Sequence, residues 1–256
     1  MLNVVDEGTG PVIVLLHAYP CDLHLFDAQA AALVAAGWRV VRPDLPGFGQ
    51  SLPTDEPPSM AAMAEQVLGT LTAIGLDNFV LAGLSMGGYA AMEILRQQGE
   101  RVRALILMDT KATADSEAAA AVREETARKA LAEGSLGPLA DAMLAGLLGQ
   151  TSRNDRPQVV DRTLVWITQT PAASAAWAQR AMAGRPDSLG DLSRFEGPAL
   201  VVMGEEDALA NRAEHVLMAD ALPNGSLVVI PAAGHLSAVE GPDELSEALV
   251  RFVAGL

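Results

Sequence analysis

Cysteine is almost absent from this sequence, and so is any recognisable leader. Cys21 is the only cysteine among 256 residues, so an intrachain disulfide is impossible and nothing points to an oxidising compartment. The N-terminus lacks the basic stretch followed by an apolar one that marks a secretory signal peptide. We therefore expect the protein in the cytoplasm.

Basic residues and long apolar runs are also scarce. The 17 Lys and Arg side chains stand against 32 Asp and Glu side chains, which gives a formal net charge of −15. A field of that sign repels nucleic acids and anionic lipids, whose binding depends on clustered Lys and Arg. The longest apolar runs, such as Val12–Leu16 and Ala104–Met108, fall far short of the roughly 20 residues that a membrane-spanning helix needs. The sequence therefore predicts no nucleic-acid partner and no membrane partner.

Signatures of bound cofactors are missing as well. No Gly-x-Gly-x-x-Gly follows an apolar run, and no phosphate-binding P-loop occurs. One cysteine and four scattered histidines offer no spacing typical of a zinc site. We expect no metal and no organic cofactor.

The sequence does contain two kinds of apolar segment, which alternate along the chain. Half of the residues are hydrophobic, which is enough for a sizeable buried core. Short runs rich in Val, Ile and Leu are typical of strands buried in a parallel sheet, and they are Val12–Leu16, Trp38–Arg42, Asn78–Ala82, Ala104–Met108, Ala199–Met203 and Ser226–Ile230. Longer stretches between them are typical of helices, and they are Leu25–Ala36, Ser59–Ala73, Gly87–Gln97, Arg212–Leu222 and Pro242–Ala254. This alternation predicts an α/β fold with a doubly wound, mostly parallel sheet.

One long segment interrupts the alternation. Residues 111–186 contain no convincing strand, only Ala-, Glu- and Arg-rich sequence of helical character. We expect this segment to form a helical cap on a core built from residues 1–110 and 187–256. Trp166 and Trp177 lie inside it, either as core residues of the cap or as lining of a pocket.

The motif that carries chemistry is Gly-x-Ser-x-Gly at residues 83–87. It stands directly between a predicted buried strand and a predicted helix. A serine on such a sharp turn projects its hydroxyl freely, and the chain approaches itself so closely that only glycine fits at Gly83 and Gly87. The helix that follows directs N–H groups and its positive end toward developing negative charge. Ser85 is therefore the candidate nucleophile.

A serine hydroxyl needs a base, and the base needs an orienting acid. Asp207 follows the predicted strand Ala199–Met203, and His235 follows Ser226–Ile230. Because functional groups in open α/β sheets lie at the carboxyl ends of strands, both residues should open on the same edge as Ser85. The chain order Ser, Asp, His is also the order associated with a nucleophile of this type.

Rivals for the acid remain open at this point. Glu205 and Glu206 stand beside Asp207, and Asp109 follows the strand Ala104–Met108 on the same edge.

Rivals for the base are the three other histidines, His17, His24 and His215. His215 falls within a predicted helix and is expected at the surface. His17 sits at a strand end, where it can brace the adjoining loop.

Two backbone N–H groups are needed to hold an oxyanion. One is expected from Met86, the residue after the nucleophile, and one from the loop at residues 17–20, after the strand Val12–Leu16.

Taken together, five segments resemble successive signatures of the α/β-hydrolase superfamily, and they are His17–Pro20, Arg42–Ser51, Gly83–Gly88, Gly204–Asp207 and Gly234-His235. More narrowly, the chain resembles the small esterase branch that includes 3-oxoadipate enol-lactonase-like proteins. The match spans nearly the whole chain outside residues 111–186. The resemblance implies an α/β-hydrolase fold in which the N–H groups of Tyr19 and Met86 form the oxyanion hole.

The chain departs from the usual pattern of that superfamily in two places. Ala18 stands where glycine usually follows the histidine, which alters the loop but keeps its backbone donor. Only about ten residues precede Val12–Leu16, so we expect the first strand of the usual eight to be missing and the cap to follow the sixth strand. The sheet edge left by that strand would be exposed or paired with a second copy in a homodimer.

The expected function is hydrolysis of a small carboxylic ester through an acyl-enzyme, with an ester or lactone of low molecular mass as substrate. The same residues also suit an enol-lactonase or other lactonase, a C–C bond hydrolase or a cofactor-free perhydrolase. A non-enzymatic ligand receptor is the alternative from another class. The substrate pocket is expected to be apolar, with Leu84, Trp166 and Trp177 among its lining residues.

Overall fold

A single sheet of seven strands organises the chain. The computed structural model describes all residues from Met1 to Leu256. In chain order the strands are β1 (Val4–Glu7), β2 (Val12–Leu16), β3 (Arg39–Pro43), β4 (Phe79–Leu84), β5 (Val102–Met108), β6 (Ala199–Gly204) and β7 (Gly225–Ile230). Their order across the sheet is β1-β3-β2-β4-β5-β6-β7. All neighbours pair in parallel except β1, which runs antiparallel to β3, so the predicted doubly wound, mostly parallel sheet is confirmed.

The six predicted strands all form, with ends that differ by no more than two residues. The prediction omitted β1, whose sequence Val-Val-Asp-Glu has no continuous apolar run. β1 is a short edge strand, and its Asp6 forms a bidentate ion pair with Arg39 on β3, at 2.6 and 2.8 Å. The sheet has seven strands, as expected for an eight-stranded sheet that lacks its first strand. Pairing of the β1 edge with a second copy stays a prediction.

The α-helices lie between the strands in the order that the sequence predicts. They are α1 (Asp27–Ala35), α2 (Met60–Ala73), α3 (Met86–Gln98), α4 (Glu117–Glu133), α5 (Ala140–Leu147), α6 (Gln150–Asp155), α7 (Pro157–Gln169), α8 (Ala172–Ala183), α9 (Leu189–Leu192), α10 (Arg212–Ala221), α11 (Ser237–Glu240) and α12 (Pro242–Val253). Several begin at a side chain that accepts a bond from the helix backbone, such as Ser59 before α2 and Asn211 before α10. None is both long enough and apolar enough to cross a bilayer.

Helices cover both faces of the sheet and seal its central strands. On one side α1 packs against α12, and on the other a layer runs from α2 through α3 and α9 to α10. Every residue of β4 and β6 is buried between these layers. This explains why the two strands read as unbroken apolar runs rather than as alternating patterns.

A run of helices separates β5 from β6 and contains no strand, as the sequence predicts. We call α4 to α8, residues 117–183, the helical insertion. It follows the fifth strand of the seven, which is the sixth when the missing first strand is counted. Within it α4 packs lengthwise on α8. The division into a core of residues 1–110 and 187–256 and a cap of residues 111–186 stays a prediction.

Candidate active site

Ser85 occupies a sharp turn between β4 and α3. Its backbone has φ 53° and ψ −111°, a region that L-residues avoid and that costs about 1–3 kcal/mol unless its surroundings impose it. Two neighbours fix the turn. The Ser85 N–H donates to the carbonyl oxygen of Met108 at 2.9 Å, and the hydroxyl of Thr110 donates to the Ser85 carbonyl at 2.9 Å.

The two glycines of the motif sit where the backbone touches itself. A Cβ atom added at Gly83 would lie 2.1 Å from the carbonyl oxygen of Gly87, and one added at Gly87 would lie 2.0 Å from that of Leu16. Both obstacles are backbone atoms held by the sheet and by α3, so they cannot move aside as a side chain would.

We expect Gly87→Ala to lower the free energy of unfolding by at least about 3 kcal/mol, the upper end of the usual cost of overpacking, because the clash is with backbone. The matched control is Gly69→Ala. Gly69 lies in the interior of α2 with nothing within 4 Å of an added Cβ, so alanine there should stabilise the protein by roughly 0.5–1 kcal/mol. Urea titration followed by circular dichroism measures both. Equal stability of the two variants would contradict the tight fit of the turn.

His235 and Asp207 lie beside Ser85 at the carboxyl edge of the sheet. Asp207 follows β6 and His235 follows β7. Nε2 of His235 is 2.7 Å from Oγ of Ser85, and Nδ1 is 2.9 and 3.0 Å from the two carboxylate oxygens of Asp207. The structure therefore brings the three predicted residues into one hydrogen-bonded chain.

The electrostatics of this chain suit proton transfer. Burial opposes ionisation of Asp207, but the adjacent His235 and the N–H groups of Ala210 and Leu209 hold the pKa of Asp207 below its usual value. Burial lowers the pKa of His235, whereas the charge and hydrogen bond of Asp207 raise it, and the net effect is a pKa above the usual value for histidine. An ionised carboxylate thus holds the imidazole in place with Nε2 directed at the serine hydroxyl.

Asp109, the rival acid after β5, has a different set of partners. Its carboxyl oxygens accept from the N–H of Gly204 at 2.7 Å and from the hydroxyl and N–H of Ser237. Burial and the nearby charge of Asp207 raise the pKa of Asp109 to about 8. No hydrogen bond joins Asp109 to His235, and it ties together the two loops that carry Asp207 and His235.

Glu205 and Glu206, the other rivals for the acid, point away from His235. Glu205 accepts a bond from the N–H of Ala232, and Glu206 accepts from the N–H and hydroxyl of Thr151 at 2.9 and 2.6 Å. Glu206 thereby attaches the helical insertion to the loop after β6.

The rival histidines all lie apart from the Ser85 hydroxyl. His17 is buried and accepts from the N–H of Leu45 at 2.9 Å, so it braces a loop as expected, while His24 is exposed beside Asp27. The prediction that His215 lies at the surface is wrong. Its ring is fully buried because α10 packs against β6 and β7 and turns the ring inward.

One group of side chains has donor atoms close enough to surround a cation. Single ligand atoms of Asp109, Asp207 and His215 lie within 4.8 Å of one another. The carboxylates of this group already accept hydrogen bonds from N–H groups, from Ser237 and from His235. Hydrogen bonds thus account for the positions of both carboxylates, and we assign no metal to the group.

Two backbone N–H groups near Ser85 are free to bind an anion. Met86 is the first residue of α3, and such a position has no acceptor within its own helix. Tyr19 lies in the loop after β2, and its N–H donates to no backbone carbonyl. These are the two residues that the sequence predicts for an oxyanion hole.

A cavity of about 560 Å³ opens in front of Ser85 and His235. The core contributes Tyr19, Tyr89 and Leu209, and most of the remaining wall comes from α4, α5 and α8 of the insertion. The wall is largely apolar, as predicted, but it also holds the charged side chains of Lys111, Asp115 and Arg123.

The lining predicted for this cavity is wrong at three positions. Leu84 is wholly inside the core and does not reach the cavity. Trp166 is buried under the guanidinium of Arg162, and Trp177 donates its indole N–H to the carbonyl of Glu56 at 2.8 Å. Both tryptophans serve the packing of the insertion, which was the other alternative.

Sequence reasoning missed the charged residues of the cavity wall. Lys111 follows Asp109 closely at the carboxyl end of β5, so the rule that placed Asp207 and His235 would also have found it. Arg123 lies on α4, and no local pattern indicates which face of that helix turns toward the serine.

Comparison with known proteins gives a consistent result. Residues 11–242 match the family model of the α/β hydrolase fold. The chain is similar to the solved structure of a thermophilic esterase from Thermogutta terrifontis with malate bound, with 36% identity, a TM-score of 0.95, and coverage of 99% of this chain and 93% of that one.

Two further proteins match along nearly their whole length. The enol-lactonase from Burkholderia xenovorans LB400 is 27% identical with a TM-score of 0.90, over 99% of this chain and 96% of that chain. The pimeloyl-[acyl-carrier protein] methyl ester esterase of Aeromonas hydrophila is 28% identical over 98% of this chain and 99% of its own length.

Proposed function

The chain belongs to the α/β hydrolase fold family, and on that premise we propose that it is a serine hydrolase that cleaves small carboxylic esters. The observation that carries the proposal is the hydrogen-bonded chain from Ser85 through His235 to Asp207, with spacings of 2.7 and 2.9 Å. A serine, a base and an orienting acid in that geometry are what acyl transfer requires. The cavity in front of them is large enough for a small ester.

Acylation follows from the positions of these side chains. His235 Nε2 takes the hydroxyl proton of Ser85 as Oγ bonds to the ester carbonyl carbon. The negative charge on the carbonyl oxygen is held by the N–H groups of Tyr19 and Met86. His235 then gives its proton to the leaving alcohol as the carbon–oxygen bond breaks, which leaves an acyl group on Ser85.

Deacylation repeats the same steps with water. His235 accepts a proton from water, whose oxygen attacks the acyl carbon, and returns a proton to Oγ as the acid departs. Asp207 stabilises the imidazolium in both halves of the reaction. Every proton moves between the substrate, water and these side chains, so the proposal involves no metal or organic cofactor.

The comparisons support an ester as the substrate. Two of the similar proteins are esterases, and one is named for a methyl ester. A lactone is the second candidate, because the chain is also similar to an enol-lactonase and a lactone is an internal ester open to the same attack.

The test is turnover of a chain-length series of p-nitrophenyl esters and a panel of simple lactones, together with labelling by a fluorophosphonate. We expect turnover of short esters and covalent modification of Ser85, located by mass spectrometry of the digested protein. The chain provides an internal control, because Ser174 and Ser237 are also buried and should stay unmodified.

Two outcomes of this experiment would count against the proposed function. An unlabelled Ser85 with no turnover of any ester or lactone would contradict the proposal. Stoichiometric binding of an ester without release of product would favour a ligand receptor on this fold.

A further inference from the structure

A cluster of charged side chains forms one part of the cavity wall. Asp115 lies at its centre with a carboxylate that is completely inaccessible to solvent. Three cations surround it, with Arg123 at 2.5 Å, Arg185 at 2.9 Å and Lys111 at 3.5 Å from its oxygens. The cluster therefore holds three positive charges against one negative charge.

Two arginines hold the Asp115 carboxylate, and Arg185 is the more buried of them. Its side chain is 4% exposed, donates to the carbonyls of Met182 and Thr113, and lies over the ring of Tyr89 at 4.0 Å. It is thus a buried structural partner of the carboxylate. Arg123 also donates its Nε–H to the Asp115 carboxylate and a second N–H to Oε1 of Gln179 at 3.3 Å. Because one carboxylate offsets only one of the three cations, the cluster keeps two positive charges in excess.

Two of the three cations face the cavity with unused N–H donors. Both Lys111 and Arg123 line it, and their side chains are 20% and 21% exposed. The ammonium of Lys111 makes no hydrogen bond within the chain, and its contact with Asp115 is long, at 3.5 Å. No acidic side chain other than Asp115 lines the cavity, although the chain as a whole has a net charge of −15.

A further donor stands in the same cavity. The hydroxyl of Tyr19 is buried without a hydrogen-bond partner, and Tyr19 lines the cavity. Burial raises the pKa of Tyr19 to about 12, against the opposing effects of nearby Gln179 and Arg123. The hydroxyl therefore keeps its proton and lies close to the cationic wall.

The cationic wall begins next to the serine. Thr110 donates its hydroxyl to the Ser85 carbonyl at 2.9 Å, and Lys111 is the next residue, with its Cα about 3.8 Å from that of Thr110. Ser85, Lys111 and Arg123 line the same cavity of about 560 Å³, so one small molecule can contact all three.

We infer that the preferred substrate is a short ester that also carries a carboxylate, bound by Lys111 and Arg123 with help from the Tyr19 hydroxyl. Charge-assisted hydrogen bonds in a partly dry cavity favour such a group over an uncharged one of the same shape. The inference rests on the proposed esterase function and adds its substrate class.

The test compares matched substrates by titration of released acid at neutral pH. Monomethyl glutarate is paired with the methyl ester in which an isopropyl group replaces the carboxylate. A second pair moves the carboxylate to the alcohol half, as the acetate ester of a hydroxy acid against the acetate ester of its uncharged isostere. We expect a higher kcat/KM for the charged member of at least one pair.

Variants of Lys111 and Lys129, the two lysines of the chain, test which side chain causes the preference for the charged ester. Lys111→Met should reduce the preference for the charged ester by about tenfold to a hundredfold, the range for losing one hydrogen bond to a charged group. Lys111→Arg should restore part of it. Lys129 is an exposed lysine on α4, outside the cavity, and Lys129→Met is the matched control that should keep the wild-type preference.

Two results would overturn the inference while leaving the serine hydrolase intact. One is serine-dependent turnover with no preference for the charged member of either pair. The other is a preference that survives in Lys111→Met while the melting temperature of that variant falls, which would show that the lysine only braces Asp115. Absence of turnover of every ester, with Ser85 unlabelled, would instead count against the proposed function itself.

Discussion

Replacing Ser85 with alanine is expected to lower kcat for ester hydrolysis by about 10⁴- to 10⁶-fold, the loss typical when a serine nucleophile is removed. The reason is that no other hydroxyl lies within hydrogen-bond distance of Nε2 of His235. Stability should change little. The turn at Ser85 is held by backbone bonds to Met108 and Thr110, and alanine keeps both. Rate assays with purified protein measure kcat, and a thermal melt measures the stability.

The matched control for this variant is Ser174→Ala. Ser174 is a buried serine whose hydroxyl has no hydrogen-bond partner, and it lies outside the cavity in front of Ser85. Its removal should leave kcat at the wild-type value. Retention of substantial activity in Ser85→Ala, with Ser174→Ala unchanged, would show that another group attacks the ester.

The residues that the sequence predicts well are those whose signal is local. Ser85 is marked by two glycines and by its place between a buried strand and a helix. Asp207 and His235 each follow a short apolar run, and parallel strands bring their carboxyl ends to one edge. For these three residues, the position in the fold is encoded within about ten residues of sequence.

The features that sequence reasoning missed depend on contacts distant in the chain. β1 forms because it pairs with β3, and its own four residues give only a weak strand pattern. Trp177 faces away from the cavity because its indole N–H reaches Glu56, 121 residues earlier. His215 is buried by the packing of α10 on the sheet. In each case the deciding partner lies in another element.

Arg123 in the cavity wall is a further residue whose position depends on contacts with distant parts of the chain. Arg123 lies on an Ala- and Glu-rich helix whose surface pattern is mostly polar. It turns inward because α4 packs along α8 and because Asp115 holds its guanidinium. The shape and charge of the cavity therefore depend on how the helical insertion packs on the sheet, whereas the positions of Ser85, Asp207 and His235 depend on the sheet.

Asp207→Asn should lower kcat by about 10⁴-fold, because the asparagine amide neither stabilises the imidazolium nor fixes the tautomer that leaves Nε2 free to accept. It should also change the pH profile. Asp207 raises the pKa of His235, so removing its charge lowers that pKa. The acid limb of kcat/KM, which follows deprotonation of His235, should therefore move to lower pH in the variant.

The variant Asp109→Asn tests whether Asp109 orients His235 or only stabilises the fold. Asp109 is fully buried beside the same loops, but it bonds to Gly204 and Ser237 rather than to His235. Burial and Asp207 raise the pKa of Asp109 to about 8, and the charge of Asp109 ranks after that of Asp207 among the causes that raise the pKa of His235. We expect a loss of about 1–3 kcal/mol in unfolding free energy because the amide nitrogen would face the N–H of Ser237. We also expect a much smaller fall in kcat than in Asp207→Asn and a smaller shift of the acid limb. The opposite pattern, with the large kinetic loss and the shifted limb in Asp109→Asn, would make Asp109 the acid that orients His235.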